Sequence, residues 1–221
     1  MKSQKDIFRA TEADQWFNRN KESYKKTEIE KDIIIQTLKE IEISPKRVLE
    51  VGCANGAKLN KLYQAFGSEC VGIDPSSQAI EQGKIEFPEL SLHVATADSL
   101  PFEDEKFDLI VFGFCLYLCD RADLFKIALE ANRCLSDRGH LAIVDFEPPF
   151  PYKNTYAHLE GIYCYKMDYS KLFSWNPAYN QIYKNVFSHS GYAMRDIPNE
   201  KVSLTILSKT EEFAYPTNPF G

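Results

Sequence analysis

The chain reads as an α/β domain built on a doubly wound, mostly parallel sheet, and three observations carry that reading. Short β-branched or apolar runs recur at residues 48–51, 69–74, 91–94, 107–114 and 139–146. Segments of helical period lie between several of them, which is the alternation expected of βαβ units. The first run stops at Gly52 and Gly56 and passes at once into the helix-like residues 57–62. Such a strand-to-helix turn brings backbone close to a ligand at the carboxyl edge of a sheet.

Size and composition narrow the class. At 221 residues the chain suits one α/β domain with a modest addition. Its formal charge of −6 argues against a nucleic-acid groove, which needs clustered Lys and Arg. Residues 1–6 are polar, and no run approaches the roughly 18 apolar residues of a spanning helix, so a cytoplasmic protein without membrane insertion is expected. Six cysteines lie mostly in apolar runs without C-x-x-C spacing. They read as reduced core thiols, and no metal site is expected.

The elements follow in order. Residues 6–20 mix aromatics with charges, and Trp16 and Phe17 need a place to bury. Ile29, Ile33, Leu38 and Ile41 then give a helical stripe, opened by Thr27 and Glu30 in a capping-box relation and closed before Pro45. The first strand and its turn come next. A dinucleotide fingerprint G-x-G-x-x-G starting at Gly52 would need glycines where Ala54 and Ala57 stand.

The second strand, 69–74, ends in Asp74, a carboxylate placed to accept from a ribose diol. Its plainer role would be an N-cap for the helix near 78–84, which Ser76 or Ser77 can fill instead. A third strand, 91–94, leads into residues 95–102 with Asp98. The fourth, 107–114, follows a charged turn. A helix from 120 to 135 places Leu124, Ile127, Ala128, Ala131 and Leu135 on one face, and residues 139–146 form the fifth strand. Residues 147–189 depart from this rhythm with a dense run of Tyr, Phe and Trp rings such as Tyr156, Tyr163 and Trp175. Residues 191–194 and 202–208 read as a final strand pair, and 211–221 as an irregular tail.

Residues 48–56, VLEVGCANG, resemble motif I of the class I S-adenosylmethionine (SAM) dependent methyltransferases, in the small-molecule branch that includes the ubiquinone and menaquinone enzymes. Glu50, Gly52 and Gly56 match it, while Ala54 replaces the middle glycine. Asp98, Leu100, Pro101 and Phe102 resemble the family's acid-bearing stretch before the fourth strand. Phe107-Asp108-Leu109-Ile110 and the turn at 134–139 resemble its later signatures.

The resemblance implies a Rossmann-like seven-stranded sheet whose antiparallel seventh strand is inserted beside the fifth. It implies SAM as cofactor and S-adenosylhomocysteine as product. The cofactor would be held by Glu50, Gly52, Cys53, Ala54 and Gly56 of the first turn, by Asp74 and Pro75, by Asp98, Ser99 and Leu100, and by Phe114. Residues 1–45 would form an amino-terminal helical lid, 46–146 the SAM-binding core, 147–190 an aromatic acceptor-pocket insertion, and 191–221 the strand pair and tail.

In such a transfer the sulfonium supplies the leaving group, so the protein chiefly aligns the reactants and excludes water. A hydroxyl acceptor would add the need for a base. The candidates are His158, Asp145, Tyr117 and His189, with His158 first because it lies in the presumed pocket segment and titrates near neutral pH. The expected reaction is methylation, preferably of oxygen, on a small molecule such as a cell-surface glycan or secondary-metabolite intermediate, by a monomer or homodimer. Two alternatives differ in class: a non-catalytic SAM-binding regulator and, against Ala54, Ala57 and Asp98, an NAD-type oxidoreductase.

Overall fold

The computed structural model describes residues 3–24, 29–191, 196–218 and 220. The chain opens with α1 (Gln4–Ile7), a π turn (Phe8–Glu12) and α2 (Ala13–Tyr24), followed by α3 (Ile33–Glu40). The core then alternates through β1 (Arg47–Val51), α4 (Ala57–Phe66), β2 (Glu69–Asp74), α5 (Ser77–Glu86), β3 (Ser91–Val94), β4 (Phe107–Gly113), α6 (Leu124–Cys134) and β5 (Leu135–Phe146). A hairpin of β6 (Tyr152–Thr155) and β7 (Tyr163–Lys166), then α7 (Lys171–Ser174), β8 (Tyr179–Ser188) and β9 (Lys201–Lys209), complete it.

The main sheet has seven strands in the order β3-β2-β1-β4-β5-β9-β8. Neighbours from β3 to β5 pair in parallel, and β9 runs antiparallel to both β5 and β8. This is the expected doubly wound sheet with its single reversed strand. Period-two alternation sorts the strands' side chains onto two faces. Leu49, Val51, Ile110, Phe112 and Ile143 pack with Ile127 and Ala131 of α6. Val48, Leu109, Val111 and Ala142 pack with Ile35 and Leu38 of α3 and Leu59 of α4. Strand order reverses between β1 and β4, which opens a crevice at their carboxyl ends.

Three expectations shift. The sixth strand is β8, inside the segment read as insertion, and it pairs with β9 from Tyr179–Lys209 to Ser188–Lys201. The strand assigned to 191–194 falls, apart from Gly191, outside the described residues. The cap of α3 is Asp32, whose side chain accepts from the N–H groups of Ile34 and Ile35, while Thr27 lies outside the described residues. Finally Leu135 starts β5 rather than ending the helix, because the α6 turn closes at Cys134. Among the described residues no helix is long and apolar enough to cross a membrane.

Candidate active site

The crevice floor is made by three strand tips. After β1, the N–H groups of Gly52 and Cys53 both donate to the Ile73 carbonyl, at 2.8 and 3.0 Å. That tie bends the chain back across β2. Gly52 and Gly56 sit at φ +77° and +80°, where a side chain would be strained, and a Cβ on Gly52 would come within 2.7 Å of the Cys115 Cβ. Ala54 adopts φ +49° without being glycine, and its N–H donates to Asp74 Oδ2 at 2.9 Å. Asp74 Oδ1 accepts from the Ser76 N–H at 2.8 Å. Each carboxylate oxygen thus keeps acceptor capacity for a ligand. Burial pushes the Asp74 carboxyl up to about 6, against the pull of those two N–H groups.

Asp98 follows β3 and is 5% exposed. Lys5 Nζ reaches its Oδ2 at 2.7 Å and Asp123 Oδ2 at 2.8 Å, and Lys126 stands 3.5 Å from the same Asp98 oxygen. Burial alone would raise the Asp98 carboxyl, yet hydrogen bonds from Lys5 and Thr96 hold it below the usual carboxylate range. Lys5 in turn is raised, chiefly by its bonds to Asp123 and Asp98.

The roof is the amino-terminal segment. Gln4 Nε2 donates to the carbonyls of Leu118 (2.5 Å) and Tyr163 (3.0 Å), and Gln4 Oε1 accepts from the Tyr163 N–H at 3.1 Å. Asp120 accepts from the backbone N–H groups of Gln4 and Lys5. Further along, the buried Glu12 accepts from Arg19 and from the Tyr156 hydroxyl, while Asp14 accepts from the Ser76 hydroxyl at 2.6 Å. Between floor and roof lies a cavity of ≈ 130 Å³. Its floor includes Gly52, Asp74, Pro75 and Asp98. Its roof includes Lys5, Phe8, Ala13 and Trp16, and the loop after β4 adds Phe114, Cys115, Leu118 and Cys119.

Comparison with known proteins points the same way as the motifs. Residues 48–139 match the family described as "Methyltransferase domain". That match spans 92 of the 221 residues and supports the resemblance to the class I SAM-dependent methyltransferases. An uncharacterized methyltransferase of Synechocystis, sll0829, is 33% identical over 113 residues, covering 51% of this chain and 53% of that protein. A demethylmenaquinone methyltransferase of Thermotoga maritima is 29% identical over 163 residues, 72% of this chain and 65% of that protein. The chain therefore spans less than two thirds of either relative. Among solved structures, a 1,6-didemethyltoxoflavin-N1-methyltransferase of Burkholderia thailandensis superposes with a TM-score of 0.70 at 12% identity, over 93% of this chain and 88% of that one. These matches set the nicotinamide alternative aside.

Within the methyltransferase domain the expected residues divide into two sets. Gly52, Asp74, Pro75, Asp98 and Phe114 line the cavity. Glu50, Cys53, Ala54, Gly56, Ser99 and Leu100 stand behind that wall. Glu50 is 2% exposed with Oε2 unpartnered among the described residues, and burial pushes its carboxyl up to about 8. The Ser99 N–H donates to the Thr96 carbonyl and the Leu100 N–H to Glu130 Oε2, so both shape the Asp98 turn.

The candidate bases are not brought together. His158 is exposed on the β6–β7 turn, its ring edge-on to Tyr156 at 5.3 Å. Asp145 is 2% exposed with its oxygens turned to backbone N–H groups. Tyr117 is mostly buried, which raises its phenol, and it packs on Phe146 at 5.2 Å. None of the three lines the cavity. His189 stacks on Phe146 and meets Phe114 edge-on at 5.4 Å, one ring away from the cavity. Sequence reading missed Lys5, Phe8, Asp120 and Asp123 as wall residues. The aromatics of residues 6–20 were the one local signal that this segment covers something.

Proposed function

We propose that the protein transfers the methyl group of SAM to a small-molecule acceptor. The observation that carries this reading is the pair of carboxylates at neighbouring strand tips, Asp74 and Asp98, facing one cavity. Asp74 keeps lone pairs for a ribose diol and Asp98 those for an exocyclic amine. The residues present fit the cofactor. When bound, SAM supplies a methyl group already activated on a sulfonium. What remains for the chain is to orient the acceptor and exclude water, which suits the stitched roof.

The finer reading is transfer to oxygen. His189 supports it: though exposed on its outer side, its ring packs against Phe146 and against Phe114 of the cavity wall, and this partial desolvation, with Lys166 nearby, lowers the imidazole. The acidic balance of the chain fits acceptors other than nucleic acid.

The test begins with calorimetry of SAM and S-adenosylhomocysteine. It continues with S-adenosylhomocysteine release over a panel that starts from demethylmenaquinone, named by the Thermotoga relative, and adds hydroxylated small molecules. Binding without turnover of any panel member would favour the non-catalytic regulator; no binding at millimolar ligand would remove the reading. For an oxygen acceptor, His189→Ala should lower kcat by about 10²-fold or more while leaving SAM affinity unchanged.

A further inference from the structure

The loop after β4 contributes Phe114, Cys115, Leu118, Cys119 and Asp120 to the cavity wall, yet its regular structure is limited to two 3-10 turns, Leu116–Leu118 and Arg121–Asp123, and the first of them forms the wall. Such a turn leaves N–H groups unpaired at its start and carbonyls unpaired at its end. Here each end meets a charged side chain. Asp145, on β5, accepts from the Tyr117 N–H through Oδ2 at 3.3 Å. Its Oδ1 accepts from the Phe146 N–H at 2.8 Å. At the other end the Arg121 guanidinium donates to the carbonyls of Leu116 (2.7 Å) and Cys119 (2.6 Å) and to the Tyr169 hydroxyl (2.7 Å). An anion at the N–H end and a cation at the carbonyl end is the favourable arrangement for the turn's dipole. Neither residue lines the cavity itself.

We propose that Asp145 and Arg121 form a two-ended clamp that sets loop 114–120 as the cavity wall, which makes both of them positioning residues for methyl transfer. The inference rests on the function proposed above. Asp145 is the end that responds to pH, because burial pushes its carboxyl up to about 7 against the pull of the Phe146 and Tyr117 N–H groups and Arg121. The groups facing it are the thiols of Cys115, Cys119 and Cys164 and the phenols of Tyr117 and Tyr169, all raised by burial and therefore neutral, with the cations Arg121 and Lys166. As pH falls through 7 the carboxyl takes up a proton, and a neutral acid holds an N–H more weakly than a carboxylate does.

The experiment compares Asp145→Asn, Arg121→Met and the double variant in kcat/KM for the acceptor, with far-UV circular dichroism as the fold control. Each single change should cost about 10- to 100-fold, and the double variant no more than the worse single, because both act on one loop. Wild-type kcat/KM should fall about fivefold more between pH 8 and pH 6 than that of Asp145→Asn, whose remaining fall belongs to Asp74 and His189. Multiplicative losses, or single variants within about twofold of wild type, would overturn the clamp. Should a variant fail to fold, amide exchange of the wild-type protein decides the matter alone. Protection at Tyr117, relative to β4, should drop about threefold or more from pH 8 to pH 6, and unchanged protection counts against the clamp. Exchange needs no turnover, so a failure of the methyl-transfer reading is told apart from a failure of this one.

Discussion

The floor and the roof of the cavity are held by different kinds of bond. Gly52 and Cys53 are tied to Ile73, and Asp74 to Ala54 and Ser76, so the floor closes through turns continuous with the parallel sheet. Its geometry is lost only when β1 and β2 separate. The roof is joined to the rest by polar side chains reaching across the sequence: Gln4 to Leu118 and Tyr163, Lys5 to Asp98, Glu12 to Tyr156. Each of those bonds is worth only about 0.5–1.5 kcal/mol net, up to about 3 where charge is involved. Regions of few and polar contacts open locally at far less cost than core strands, so the roof should open before the floor does.

Removing the floor's central acid is the strongest way to break that division. Asp74→Ala deletes the acceptor offered to a ribose diol and strands the N–H groups of Ala54 and Ser76. Two hydrogen bonds to a charged group correspond to about 3–4 kcal/mol, or about 10²- to 10³-fold in affinity. SAM affinity in calorimetry should therefore disappear from the micromolar range, and an unchanged isotherm would remove Asp74 from the site.

The same carboxyl gives a pH test of intermediate size. In the ligand-free protein it titrates at about 6, so SAM affinity should fall as pH drops below 6, by about tenfold at pH 5. The sign for folding is opposite. A carboxyl raised from about 3.9 to about 6 contributes stability that is fully present below pH 4 and lost as pH rises through 6. Calorimetric affinity and the melting temperature of Asp74→Asn against wild type, both followed from pH 5 to 8, separate the two trends.

For the roof, Gln4→Ala severs the three hydrogen bonds that fasten α1 to Leu118 and Tyr163. The fold should persist, with its melting temperature within about 3 °C of wild type, because Gln4 belongs to no core strand. SAM dissociation should quicken by about tenfold and residues 3–12 should lose amide protection. Equal protection in both proteins would mean that the roof is held by its apolar contacts, Phe17 and Trp16 against Ala54 and Ala79, and not by Gln4.

What could be read from the amino acids follows the same division. Gly52, Gly56 and Asp74 were legible because a glycine turn and an acid at a strand tip declare their geometry within a few residues. Asp98 was legible through its Leu-Pro-Phe neighbours. Its partner Lys5 lies 93 residues away, and no local pattern announces such a pairing. Strand β8 was hidden for another reason. It is an edge strand with a register shift between Gln181 and Tyr183 and burial concentrated at its ends, so the alternation that marks a strand is interrupted where it would be sought. The ring-rich composition of 147–190 then suggested one pocket. The chain instead divides those rings among the β6–β7 hairpin, the core packing of Tyr169, Phe173 and Tyr179, and the edge strand β8.

His158 is the smallest and most discriminating case. It was the leading base because it lies among those rings and has the right intrinsic pKa. The structure sets it exposed on the β6–β7 turn beside Tyr156, away from the cavity wall. A solvated imidazole there has no reacting atom to serve, so His158→Ala should leave kcat and KM within about twofold of wild type, the range of ordinary surface substitutions. His189→Ala, assayed beside it, carries the expected loss on a hydroxyl acceptor. If instead His158→Ala abolished turnover with SAM affinity intact, the β6–β7 hairpin would have to swing its turn onto the acceptor during the reaction, and the moving part of the roof would be the hairpin rather than α1.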